Sequence, residues 1–292
     1  MPKFLERLAE PRPILLDGGT GTELAQRGLD TSSPIWSAMA LLDAPHVLEQ
    51  VHRDYLEAGA ELLISNTFRT HRRSLAKVGL GDEAARLTGL AVSIAQKAVR
   101  ASGQAAFVAG SMGPLEDSYT PFDQPHEEFL REHRELANNL VAAGVDLLIV
   151  ETMNTVQEAR AAAQAASETG LPFGVSFVCG ADGRLLSGET LQAAVDAVAP
   201  FGPSFLSINC TPAPGMLTAL QALRAATELP IGAYANAAHS EDFEHWEQAA
   251  APEGYAQLAG EWLAYGAQLV GGCCETRPEH IRAIATHARM ED

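Results

Sequence analysis

Short runs of aliphatic and β-branched residues alternate along this chain with longer stretches in which apolar side chains recur at helical spacing. The short runs are Ile14–Asp17, Glu61–Asn66, Ala106–Ser111, Asp146–Glu151, Pro172–Val178, Ser204–Asn209, Pro230–Asn236 and Gln268–Gly272. Each is nearly continuous in apolar character, which marks a strand covered on both faces. The longer stretches predict helices. In Pro45–Ala58, Val47, Val51 and Tyr55 share one face, and similar patterns cover Glu127–Ala143, Thr155–Thr169, Thr190–Ala199 and Gly254–Ala264. Strands alternating with helices predict a parallel sheet, and eight such units close naturally into a single (β/α)8 TIM barrel of the α/β class. No low-complexity tract or Gly/Ser linker interrupts the pattern, so residues 1–292 are expected to form one domain.

An open, doubly wound sheet is the competing architecture. Its signature would be a dinucleotide-binding turn after the first strand. Asp17-Gly-Gly-Thr-Gly-Thr-Glu-Leu looks similar, but Leu24 occupies the place of the third small residue. The count of eight strands favours the barrel.

Charge narrows the class of partner. Lysine and arginine total 20 against 37 acidic residues, a net charge of −17. Such a field repels nucleic acid and anionic membranes. The N-terminal residues MPKFLERLAEPRP carry charges where a signal peptide needs an apolar core, and no uncharged run approaches the ~20 residues that span a bilayer. The four cysteines are therefore expected as free or metal-bound thiols in a reducing cytoplasm.

In a barrel the loops after the strands share one rim, where reactive groups collect. Polar, ligand-capable residues fall at that end of seven strands: Asp17, Asn66-Thr67, Gly110-Ser111, Glu151-Thr152, Asn209-Cys210, Asn236 and Gly271-Gly-Cys-Cys274. Three of the four cysteines, Cys210, Cys273 and Cys274, lie after the sixth and eighth strands. Three thiolates on one rim suit tetrahedral zinc with a fourth position open. A buried, inert Cys210 beside an unrelated Cys273-Cys274 pair is the alternative. Cys179, in a hairpin-like Cys-Gly-Ala-Asp-Gly-Arg loop, is expected to be structural.

On Asp17-Gly-Gly-Thr-Gly-Thr-Glu-Leu, Trp36-Ser-Ala38, Gly110-Ser-Met-Gly-Pro114, Glu151-Thr152, Ile208-Asn-Cys210 and Gly271-Gly-Cys-Cys-Glu-Thr-Arg-Pro-Glu-His-Ile281, the chain resembles the homocysteine S-methyltransferase family. The match runs in order from about Ile14 to Ile281. The resemblance implies a single barrel that uses Zn2+ to methylate homocysteine to methionine. It implies Cys210, Cys273 and Cys274 as the metal ligands, with Asn236 as an oxygen ligand that homocysteine displaces. It assigns Asp17 and Glu151 to the substrate ammonium and to the catalytic site. The amides of Gly18, Gly19 and Thr20, with Ser111 nearby, are plausible hosts for the carboxylate. Thr20 and Thr22 would otherwise cap the following helix.

The remaining residues divide by pattern. The nine histidines, His46, His52, His71, His126, His133, His239, His245, His280 and His287, form no zinc-type spacing and read mostly as helix-surface or loop residues. His239 is the exception, because it follows Asn236 on the active rim. Trp36 is expected in a donor pocket rather than the core, and the run from His126 reads as an exposed helix.

The methyl donor is less specified. Gly-Ser-x-Gly-Pro usually continues Tyr-Gly-Ala in sulfonium-using relatives, but here it continues Leu115-Glu-Asp-Ser-Tyr119. Betaine-using relatives place tyrosine after the glutamate, and here Thr152 stands there. Cobalamin-using relatives carry the barrel within much longer chains. Length and Trp36-Ser-Ala38 lean toward S-methylmethionine or S-adenosylmethionine. Alternatives are betaine, another acceptor such as selenohomocysteine, or a non-catalytic zinc- or thiol-binding barrel. A zinc hydrolase fits poorly, since an all-thiolate set activates water weakly beside histidine or carboxylate ligands.

Overall fold

The eight apolar runs become eight strands of one sheet in the computed structural model, which describes residues 3–238 and 250–290. They are β1 (Ile14–Leu15), β2 (Leu62–Ile64), β3 (Phe107–Met112), β4 (Leu147–Met153), β5 (Phe173–Phe177), β6 (Phe205–Pro212), β7 (Ile231–Asn236) and β8 (Ala267–Gly272). All neighbours pair in parallel, in the order β1-β8-β7-β6-β5-β4-β3-β2. A bridge between Leu16 and Leu62 joins β1 to β2, so the sheet closes into the expected (β/α)8 barrel.

Helices fill the connections. Short ones are α1 (Phe4–Leu8), α2 (Thr20–Gln26), α3 (Ala40–Asp43) and α5 (Arg72–Ala76). The outer ring holds α4 (Pro45–Ala58), α6 (Ala84–Ser102), α7 (His126–Ala143), α8 (Val156–Ser167), α9 (Leu191–Val198), α10 (Met216–Ala226), α11 (Pro252–Ala264) and α12 (Pro278–Met290). Local chemistry sets their ends. Pro45 opens α4, and Gly59 stops it at φ 111°, a left-handed position that glycine takes without strain. The Thr155 hydroxyl caps α8 by accepting the Glu158 amide. In α8 the buried face is almost all alanine, which lets the helix lie close to the sheet.

Two layers of core result. One lies between sheet and helices, and the other fills the barrel interior with Ile14, Leu16, Leu62, Phe107, Leu147, Ile149, Phe205 and Leu269. Phe4 and Leu8 of α1 plug the bottom, with Phe4 edge-on to Phe107 at 5.6 Å. Gly174 makes room for Phe205, since a Cβ there would come within 2.1 Å of the ring. The interior is thus solid at the N-terminal end of the strands, and only the opposite rim is left open.

Three expectations need correction. The buried stripe of α4 is Leu48, Val51, His52, Tyr55 and Leu56, with Val47 only half-buried, because the helix is wedged between the sheet and flanking helices. The His126 helix is not an exposed one: Phe129, Leu130, His133, Leu136 and Leu140 of α7 are in the core. Of the seven described histidines, His52, His71, His133 and His280 are buried rather than superficial, absorbed as neutral rings or hydrogen-bonded wedges. His239 and His245 lie outside the described residues. Among the described residues no helix is long and apolar enough to cross a membrane.

Candidate active site

At the open rim the regular ladders break. Register shifts interrupt β4 between Val150 and Met153 and β6 between Asn209 and Pro212. Inside those breaks stand Thr152 at φ 61° and Cys210 at φ 51°. The other described non-glycine residues in the left-handed region are Trp36 and Glu275, at the same rim. Backbone strain of roughly 1–3 kcal/mol per residue persists only where surrounding structure holds it, and it concentrates at functional sites. The bulges explain why the expected strands ended at Glu151 and Asn209, where regular pairing stops.

Cys210, Cys273 and Cys274 meet here. Their three sulfurs lie within 4.8 Å of one another. Cys210 is buried and the adjacent pair partly so. Crowding splits their acidities. Cys274 is held well below the usual thiol range by hydrogen bonds from Cys210 and Cys273, with help from Tyr119. Cys273 is pushed up by Cys210, by Cys274 and by burial. Cys210 also ends up raised: the contact with Cys273 lowers it, but Cys274 and burial outweigh that. The set is built to hold negative charge that nothing among the described residues neutralises, which is the environment a soft divalent cation completes.

The Cys273-Cys274 turn is shaped by its contacts with the first loop. Thr276 Oγ1 donates to Cys273 O at 2.6 Å and accepts the Gly19 amide at 3.0 Å. A Cβ on Gly19 would sit 2.5 Å from Cys273 O, and one on Gly272 only 2.2 Å from Thr276 Oγ1. Asn236 ties β7 to both cysteine segments, donating to Cys210 O at 2.8 Å and accepting from the Cys274 amide at 3.0 Å.

Beside the sulfurs lies a cavity of about 330 Å³, lined among others by Gly18, Gly19, Thr20, Trp36, Phe68, Arg69, Ser111, Asp117, Tyr119, Glu151 and the three cysteines. Glu151 is buried in the cavity wall; Asp17 is also buried and feels the Glu151 charge, but it is not among the lining residues. Asp17 Oδ2 accepts the Ile64 amide at 3.0 Å, while its Oδ1 is buried with no hydrogen-bond partner. Burial pushes the Asp17 carboxyl well above the usual range, and the Glu151 charge adds to the rise. Burial likewise raises Glu151 to about 7, against a short hydrogen bond from Ser111 Oγ. Neither acid forms an ion pair with lysine or arginine among the described residues. Two desolvated carboxyl groups without a cation are groups whose charged forms a nearby cation would favour.

The structure brings together most of the residues singled out from the sequence, two of them with hydrogen bonds to other side chains. The Gly19 amide is already used by Thr276, and the Ser111 hydroxyl by Glu151. Cys179 is apart from the cluster, buried and paired with Leu185 across a small hairpin. Sequence reasoning noted Asn209 at the rim but gave no role to it, nor to Thr276, Phe68 or Arg69. Thr276 and Asn209 sit inside motifs already noted, whereas nothing around Phe68 or Arg69 signals a pocket.

Known proteins agree with this geometry. The family model for homocysteine S-methyltransferase matches residues 14–288. The homocysteine S-methyltransferase YbgG of Bacillus subtilis is 33% identical over 94% of this chain and 94% of its own. The selenocysteine methyltransferase of Astragalus bisulcatus is 30% identical over 94% of this chain and 91% of its own. Among solved structures, the metallated form of the homocysteine methyltransferase MmuM from Escherichia coli superposes with a TM-score of 0.84 at 30% identity, covering 96% of this chain and 98% of its own. The chain belongs to the homocysteine S-methyltransferase family.

Proposed function

We propose that the chain transfers a methyl group to the sulfur of L-homocysteine, giving methionine, with zinc held by Cys210, Cys273 and Cys274. One observation carries the reading: three sulfurs within 4.8 Å of one another share a cavity wall with the buried Glu151 carboxyl, which acts electrostatically on Asp17, whose Oδ1 has no partner. A free thiol with pKa near ~8.5 is only a few per cent thiolate at neutral pH. Bound zinc would supply what the acceptor lacks, taking its sulfur as thiolate while three cysteine thiolates keep the centre electron-rich.

The chain's own residues do the rest. Asp17 and Glu151 hold the acceptor's ammonium, which aims its sulfur at the cysteines, and the ammonium charge favours the ionised form of both carboxyl groups. The amides of Gly18 and Thr20 receive the carboxylate, the Gly19 amide being engaged by Thr276. Asn236, whose Oδ1 accepts the Cys274 amide, would offer a bound metal a further, displaceable oxygen ligand. Trp36 and Phe68, whose rings meet edge-on at 6.3 Å, wall the mouth and exclude water from the transfer. The new S–CH3 bond forms as the donor's bond to that methyl breaks, and the leaving group keeps the electron pair. S-methylmethionine or S-adenosylmethionine is the proposed donor. The same reading takes residues 1–292 as one catalytic domain working in a reducing cytoplasm. The similarity to a selenocysteine methyltransferase supports a selenol as a second acceptor.

The test is metal content together with product formation, offering homocysteine, selenohomocysteine and selenocysteine with S-methylmethionine, S-adenosylmethionine and betaine in parallel. About one zinc per chain and turnover of homocysteine with a sulfonium donor is the expected result. Metal-free protein with a Cys273→Ala variant equal to the parent would overturn the reading.

A further inference from the structure

The Asn209 carboxamide is buried and engaged at four points. Its Oδ1 accepts the Thr152 amide at 2.9 Å and the Ser176 hydroxyl at 2.7 Å. Its Nδ2 donates to Thr152 Oγ1 at 2.7 Å and lies 3.4 Å from Cys210 Sγ. The orientation is dictated by chemistry, because a backbone N–H can only donate and must face the oxygen. The nitrogen is thereby directed at the hydroxyl and the sulfur. Thr152 Oγ1 accepts one of those hydrogens and turns its own proton toward Cys210 Sγ, 3.8 Å away. Two donors therefore converge on one sulfur.

The backbone around this clasp supports the assignment. Thr152 and Cys210 both sit in the left-handed region, which a β-branched residue such as threonine strongly disfavours. The paired bonds to Asn209 hold Thr152 there, and that conformation brings its hydroxyl back over the sulfur. Both residues also lie in the register breaks of β4 and β6, so the ladder itself does not fix the sulfur's direction.

We infer that Asn209, acting with Thr152, is a positioning residue for Cys210: the clasp fixes the direction of its sulfur toward Cys273 and Cys274, so that it would meet a bound metal as a ligand. The inference rests on the metal reading proposed above.

The test uses metal-free full-length protein titrated with Co2+ and Zn2+ against a chelator, with Cys273→Ala as control. For Asn209→Asp, which keeps the shape but loses both N–H donors, affinity is expected to fall about 10–100-fold. Thr152→Val should fall about tenfold, while Thr152→Ser, which restores the hydroxyl, should stay within about threefold of the parent. The thiolate-to-cobalt charge-transfer bands should shift in the first two variants and not in the third. Parent-like affinity and bands in both Asn209→Asp and Thr152→Val would overturn the inference, as would a serine variant as weak as the valine one. Should Asn209→Asp not fold by circular dichroism, the threonine pair decides alone. If the parent takes up no metal, the metal reading itself falls; if the parent binds, Cys273→Ala does not, and the clasp variants match the parent, only this inference falls.

Discussion

Single residues at this site are held in states the rest of a protein avoids. Glu151 is the plainest case. Its pKa is raised to about 7 from 4.5, chiefly by burial. For a carboxyl group raised in the fold, the destabilising cost is in full force above about pH 7 and fades as pH falls toward 4.5. Glu151→Gln should therefore stabilise the metal-free, substrate-free protein at pH 8, by at most about 3 kcal/mol, and the gain should vanish near pH 4.5. Denaturant midpoints at the two pH values check this. The same variant should raise KM for homocysteine by roughly tenfold or more, since half of the ammonium receptor loses its charge. The cysteines, Asp17 and Glu151 were legible as residue types at strand ends. That the Ser111 hydroxyl donates to Glu151 was not, because a hydroxyl's partner depends on what folds opposite it.

At the scale of elements, the first and last βα loops interlock. The Gly18-Gly19 turn before α2 meets the Gly-Gly-Cys-Cys turn after β8, 257 residues apart in the Gly19–Thr276 bond. Neither glycine pair can accept a side chain. Gly272→Ala would drive a methyl to 2.2 Å from Thr276 Oγ1, breaking the lock that shapes the cysteine turn. We expect such overpacking to cost about 1–3 kcal/mol in stability while weakening metal affinity at least about tenfold. Thermal melting and chelator competition on the same sample separate the two effects. Parent-like affinity in a destabilised Gly272→Ala would mean the turn tolerates displacement. Glycine content alone suggested a tight turn here; which neighbour enforces it came only from the fold.

The whole molecule places charge and burial in ways no local pattern announces. His52 is fully buried on α4, with both ring nitrogens lacking partners, and burial lowers its pKa to about 4. For a base depressed in the fold, stability is lost as pH falls from the unfolded value near 6.5 toward 4. Burial also depresses His71 and His280, so they add to the same acid-side loss. Asp17 and Glu151 act in the opposite sense over the same window. His52→Leu should make the parent's fall between pH 6.5 and 4 shallower by about 2–3 kcal/mol, read from urea midpoints. An unchanged slope would show that water reaches the ring. By itself the sequence determined the alternation of eight strands with helices, the open rim's polar ends and the three sulfur donors, because those depend on periodicity and on residue type at element boundaries. Tertiary structure decided which helix faces are buried, that four histidines belong to the core, that Thr152 and Cys210 turn left-handed at bulges, and which donors each sulfur and carboxylate meets. Those features arise between strands distant in the chain, where barrel closure rather than local propensity sets the geometry.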